Sequence, residues 1–449
     1  MPLTLPERST MTSLRPLPLI LALGVVFSGA AQAQSLVALY ESARVYDASY
    51  QSAKSQYTAT LARADQAKAA IFPTVGLSMG ASATNLDNTL AVGNQGNYNT
   101  QSATLSASQP LYRPANQATY EQGKKQVILA DAQLAAADQD LIVRVSQAYF
   151  DVLAAMDTLT FVKAQKAAVG EQLASAKRNF EVGTATITDT REAQARFDLG
   201  TAQEIAADND LRVKRIALDQ LVGNNDAQPQ PLAQPLTLPP LLPADVTSWV
   251  AQSNDHPSVQ QAQVALDVAQ LETIKAQAGH KPTLDLTAVY NITQNNGSAN
   301  FASDFRTNAA TLGLAFNLPL FAGYAIQNRV RETVALEEKA RNDLDGSRRA
   351  VAQATRSAFF GVLSGQGQVR ALEAAEASSQ SALEANQVGY QVGVRINIDV
   401  LNAQSQLFQT KRDLAKARYD VLVGGLRLRQ ASGTLKPNDL NAVNALLAP

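Results

Sequence analysis

Phe72-Pro73-Thr74-Val75-Gly76-Leu77 is echoed by Lys281-Pro282-Thr283-Leu284-Asp285-Leu286. Working outward, Gln109-Pro110-Leu111-Tyr112 returns as Leu318-Pro319-Leu320-Phe321, and Ala148-Tyr149-Phe150 as Ala358-Phe359-Phe360. Val182-Gly183 with Asp189 returns as Val392-Gly393 with Asp399. All four echoes keep one offset, about 210 residues, so the chain is two copies of one unit. The Pro-rich stretch Pro229 to Pro243 separates them. This divides the chain into residues 1–33, a first repeat at 34–228, a linker at 229–243, a second repeat at 244–432 and a C-terminal segment at 433–449.

Proline placement partitions each unit. None occurs from Ala115 to Gln228 or from Leu320 to Lys436. An interior proline costs a helix about 3 kcal/mol, so the gaps predict very long helices. In the first gap Val127, Leu134, Leu141, Ala148, Ala155, Val162, Val169 and Ala176 recur every seven residues. A second apolar row holds Val145, Val152, Leu159, Leu173 and Phe180, and two such rows mark a coiled-coil seam. In the second unit Gly365 and Glu376 interrupt it. Val182-Gly183 and Val392-Gly393 read as the turns of two helix hairpins, followed by Asp189 and Asp399 as helix-start residues. Shorter helices are expected over Leu36 to Ile71 and Val246 to Gly279, stopped by Pro73 and Pro282.

Between the helices lie strands. Val75, Leu77, Met79 and Ala81 alternate with Thr74, Gly76, Ser78 and Gly80, and Leu284, Leu286, Ala288 and Tyr290 repeat the pattern. A period of two over about ten residues suits a membrane-barrel strand, and equally a soluble hairpin with one buried face. Asn85 to Asn99 and Thr293 to Ser303 would be exposed loops. Four strands are too few to close a barrel, so a membrane reading requires oligomerisation.

Composition narrows the function classes. With 449 residues, net charge −1, 17% charged and 6% aromatic residues, there is no field to attract nucleic acid, and Ala and Gln favour long helices in close contact. The absence of cysteine excludes disulfides and thiol chemistry, and two histidines leave no structural zinc site. His256 and His280 have no placed partner acid, Trp249 reads as packing, and no phosphate loop or carboxylate dyad is found. Arg15, the apolar run Leu17 to Val26 and Ala31-Gln32-Ala33 read as a cleaved signal peptide, with Met11 a possible true start.

The chain resembles the TolC family of outer-membrane efflux and secretion ducts over its whole mature length. The resemblance is carried most by Gly279-His280-Lys281-Pro282-Thr283-Leu284-Asp285-Leu286-Thr287-Ala288, by Gly389-Tyr390-Gln391-Val392-Gly393 and by Ser432-Gly433-Thr434-Leu435 with Asp439-Leu440. It implies a mainly α fold with a β-barrel portion. A homotrimer would form a 12-stranded outer-membrane barrel, four strands per protomer, continuing into a long coiled-coil periplasmic tunnel. The linker and the C-terminal segment would lie in a mid-height belt.

It also implies an exit duct for drugs or secreted polypeptides. The partners would be a periplasmic adaptor (membrane fusion) protein, an inner-membrane RND or ABC transporter and outer-membrane lipid. No nucleic acid, cofactor or catalysis is implied. Matched residue by residue, Thr188 and Asp189 would be acceptors in a periplasmic gate latch, Tyr390 and Arg395 their partners, and Gln172 and Arg418 further members. Asp399 would form the acidic constriction ring, with Asn402 and Gln387 departing from family acids. The tips Val182, Gly183 and Thr184, and Val392, Gly393 and Val394, would dock the adaptor. Two other classes are weighed: a trimeric structural or adhesive coiled coil, and a general porin. The first would have its strands at the C-terminal end, the second hardly any long helix.

Overall fold

The computed structural model describes residues 34–86, 96–233, 235–297 and 303–448. The signal-peptide reading (1–33) and the centres of both expected loops lie outside these residues.

Each half runs helix, strand pair, long helix hairpin. In the first, α1 (Leu36–Tyr46) and α2 (Ala48–Ala69) lead to β1 (Thr74–Leu86) and β2 (Gly96–Tyr112), then α3 (Pro114–Glu181) and α4 (Ile187–Val222). In the second, α5 (Val246–Gln252), a short 3-10 turn and α6 (Pro257–Ala278) lead to β3 (Thr283–Asn296) and β4 (Asp304–Asn317), then α7 (Ala325–Gln391) and α8 (Asn397–Ala431). A last short helix, α9, spans Asp439–Asn444. The strands extend further into the expected loop segments than the sequence suggested.

The expected single helix over Leu36 to Ile71 is broken at Asp47, and the reason is tertiary. Its carboxylate accepts from Tyr50 N at 2.8 Å, capping α2, and from Arg144 of α3 by two hydrogen bonds of 3.0 Å each. The matching break in the second half is at His256, whose Nδ1 accepts from Ser258 N at 3.0 Å and so caps α6. Trp249 packs with Phe359, Val362 and Leu428 and donates to Pro243 O at 2.8 Å.

The four strands form one antiparallel sheet in the order β1-β2-β3-β4, open at β1 and β4. Several outward positions stay bare: Leu77, Met79, Leu312, Leu314 and Phe316 are each more than 60% exposed, and among the described residues no helix packs across either face. A soluble hairpin pair would bury one face. This sheet buries neither, and two unpaired edges beside an apolar face fit only a closed barrel shared between copies in lipid.

α3, at 68 residues, is about 100 Å long at 1.5 Å per residue. The seam is buried as its period predicts, with Leu141, Val145, Val152, Val162, Val169 and Ala176 all below 6% exposure. Phe180 departs from it and is 43% exposed, because it lies beyond the last packed turn. Gly365 interrupts nothing: a Cβ there would stand 2.9 Å from Val421 Cγ2, so its missing side chain makes room for α8.

The main core lies halfway down, where α1 packs on α3, α4 and α9 and α8 packs on α3, through Leu36, Leu39, Tyr149, Phe150, Leu218, Leu426 and Leu440. The linker and C-terminal segment gather there as well. Gln34 bridges Pro229, Leu232 bridges Leu447, and Tyr149 Oη donates to Gln230 O at 2.9 Å. In the same region Tyr419 of α8 donates to Asp157 of α3 at 2.6 Å, and burial holds that carboxyl above its usual range.

Candidate functional site

The ends of the two long hairpins are built on one plan. Gly183 (φ 78°) and Gly393 (φ 77°) take the left-handed conformation that ends a helix, with no atom within 4 Å of where a Cβ would stand. In the first tip, Thr184 N and Ala185 N donate to Asn179 O at 2.8 and 3.1 Å. In the second, Val394 N and Arg395 N donate to Gly389 O at 2.9 and 3.0 Å. Asn179 and Gly389 are therefore equivalent, as are Phe180 and Tyr390.

Side chains then make the tips unequal. Thr186 is the N-cap of α4 and Asp189 its third residue, closing a capping box: Asp189 N donates to Thr186 Oγ1 at 3.3 Å and Thr186 N donates back to Asp189 Oδ2 at 3.0 Å. Asp189 is thus engaged within its own turn and is not itself the cap. In the second tip Ile396 is the N-cap and provides no side-chain hydrogen bond. Asp399, again third in its helix, is instead ion-paired to Arg395 at 3.8 Å. Gly389 leaves room for Arg395, whose Cγ would stand 2.7 Å from a Cβ there.

Besides the Tyr419–Asp157 and Arg427–Gln147 bonds nearer the main core, three polar ties join the tip-side parts of the two hairpins. Asn179 Nδ2 donates to Tyr390 Oη at 3.3 Å, Arg196 Nη2 to Asn402 Oδ1 at 3.0 Å, and Gln165 Nε2 to Ser405 Oγ at 3.2 Å. The Tyr390 ring rests against Leu383, Val400 and Leu407. Within one protomer, then, Tyr390 meets Asn179, and Thr188 is exposed with no side-chain bond among the described residues. Gln172 is half-buried on α3, about 16 Å up the helix from the first turn. Arg418 is separated from the tip: 19 residues beyond Asp399 on α8, about 28 Å along the axis, it pairs with Glu373 at 2.8 Å.

Sequence reading missed Asn179, Thr186 and Arg196. Thr186-Ile187-Thr188-Asp189 carries the capping-box spacing, so Thr186 was within reach. It also missed Asn397 and Gln404, seven residues apart on α8 and 2% and 4% exposed. Both Asn397 side-chain atoms and Gln404 Oε1 lack a partner among the described residues.

The tips end in bare apolar side chains: Val182 is 73%, Val392 68% and Val394 79% exposed. The tips thus combine glycine turns, an inter-hairpin tie and uncovered valines at the end of a helix about 100 Å long.

The family model described as "Outer membrane efflux protein" matches twice, at residues 39–224 and 251–434. The outer membrane protein TolC of Vibrio cholerae is 33% identical over 437 residues, covering 97% of this chain and 98% of that protein. The alkaline protease secretion protein AprF of Pseudomonas aeruginosa is 32% identical, covering 78% of this chain and 73% of its own. Among solved structures, the outer membrane protein VceC of Vibrio cholerae superposes with a TM-score of 0.76 at 20% identity, over 89% of this chain and 96% of that one. With its four-stranded open sheet, its paired 100 Å hairpins and two copies of the family's pattern along its length, this chain belongs to the outer membrane efflux protein family.

Proposed function

We propose that the chain is the outer-membrane exit duct of an export machine, passive in itself and opened and closed at its periplasmic end by the hairpin tips. One observation carries this: an uncovered apolar sheet with two free edges continues directly into helices that reach about 100 Å away. Three copies joined β1 to β4 close a 12-stranded barrel, and the helices continue its wall through the periplasm as a tunnel. An inner-membrane RND or ABC transporter supplies the energy, and a periplasmic adaptor docks on the tips. The second tip, with Val388, Val392, Val394 and Ile396 exposed, offers the larger apolar surface. Polypeptides and small toxic compounds can both pass through such a duct.

In this reading the gate has two parts. Asn179–Tyr390 holds the second hairpin against the first inside each protomer. Thr188, Asp189 and Arg395 stand at the same end, where a ring of three copies brings neighbouring tips within reach. Gln172 and Arg418 act higher up, Arg418 by bracing α8 on α7 through Glu373. Asp399, repeated three times, forms an acidic ring that favours cations, weakened by the Arg395 beside each copy. The test is genetic and electrical. Deleting the gene should sensitise cells to detergents and dyes or abolish export of a secreted protein, and the purified trimer should conduct in planar bilayers. Normal efflux and secretion in the deletion strain refutes the reading.

A further inference from the structure

We propose that the outward face of the sheet carries, at its loop-side rim, a binding site for a phosphorylated glycolipid of the outer leaflet. The inference rests on the outer-membrane placement above. On β2 and β3 the outward positions change from apolar to polar towards the loops at the same row of the register, and β4 is polar from the row before. Met79, Ala103, Ile292 and Asn308 form one row; Ala81, Gln101, Gln294 and Arg306 form the next, nearer the loops.

Ala81 and Ala103 are too short to fill the surface between Met79 and Ile292. The depression left there has a volume of about 680 Å³, within the range of sites that hold small molecules. Its lower part is apolar, which suits an acyl chain. Its upper edge is Gln101, Gln294 and Arg306, with no carboxylate in the lining. Arg306 Nε donates to Asn308 Oδ1 at 3.3 Å, which holds the guanidinium at that edge.

Charge and size select the occupant. A guanidinium at the polar edge of an apolar hollow, at headgroup height, matches a phosphate carried on acyl chains. The polar edge of Gln101, Gln294 and Arg306 crosses three strands, about 10 Å at 4.8 Å per step, which is wider than a single phosphate needs and suits a phosphorylated disaccharide. The rim on the side opposite the periplasmic helices faces the outer leaflet, where glycolipid of that kind resides.

The experiment titrates the purified full-length trimer with diphosphorylated lipid A, with dephosphorylated lipid A and with phosphatidylglycerol, counting bound molecules by native mass spectrometry. Up to three lipid A molecules should bind per trimer. Dephosphorylation, or Arg306→Gln, should weaken binding about tenfold. Ala103→Trp, which fills the hollow and leaves the charge alone, should do the same. Equal binding by the wild type and both variants overturns the site, and so does phosphatidylglycerol binding as tightly as lipid A. Single-channel conductance of each trimer is read in parallel. A wild-type protein that forms no conducting trimer refutes the duct reading instead, so the two failures are told apart.

Discussion

Replacing Tyr390 by Phe removes one hydroxyl and leaves the ring in its seat against Leu383, Val400 and Leu407, so folding is untouched while the tie to Asn179 is lost. That bond is neutral, part-buried and long at 3.3 Å. Its net contribution is about 0.5–1 kcal/mol per protomer. If three hairpins open together, the ring loses about 1.5–3 kcal/mol, and the ratio of open to closed channels rises roughly 10- to 150-fold. Single-channel recording in planar bilayers reads this directly, as longer open times and higher mean conductance. Asn179→Ala should give the same change, and the double variant no more than either alone, because both substitutions remove one bond. An unchanged Tyr390→Phe channel, or additive effects in the double variant, refutes the tie as part of the gate.

Three further outcomes are expected. Asn402→Asp converts the Arg196 contact into an ion pair, strengthening the hold by up to roughly 1 kcal/mol per protomer, so mean conductance should fall and recover in high salt. Arg395→Ala leaves Asp399 without its neighbouring cation, and block of the channel by multivalent cations should deepen several-fold in bilayer recordings, whereas Asp399→Asn should relieve it. Arg144→Ala strands the Asp47 carboxylate, itself 8% exposed, and should cost about 2–3 kcal/mol in thermal melts of the detergent-solubilised trimer at neutral pH. The arginine's hydrogen bonds hold the Asp47 carboxyl below its ordinary 3.8, so this stabilisation is complete above that value and lost as pH falls through the lower folded one. The variant should therefore melt much like the wild type in strong acid, and a constant difference at all pH values would count against the assignment.

Much of this architecture is legible in the chain because it is periodic. Leu141, Val162 and Val169 recur every seven residues because one helix face is buried along its whole length, and Gly183 and Gly393 mark turns that no other residue takes without strain. What escapes a reading of sequence is decided by partners far along the chain. Asp47 is of a type that caps helices, but its second role, holding Arg144 almost a hundred residues on, cannot be read locally. Gly365 reads as a flaw until Val421 is seen to occupy the space. Tyr390 is identifiable as a tip residue, but its bond to Asn179 depends on how two hairpins slide against each other, and the helix-sharing Arg418 turns out to serve α7 from about 28 Å away.

The open sheet has a genetic consequence. β1 of one copy can be completed only by β4 of another, so the contact is head-to-tail and no protomer can satisfy itself. A copy damaged at one edge still offers the other, enters the ring and spoils it. In a cell producing intact and damaged chains in equal amounts and mixing them at random, only about one ring in eight is built wholly of intact copies. Edge lesions in this protein should therefore be dominant, while lesions that prevent a copy from folding at all should be recessive.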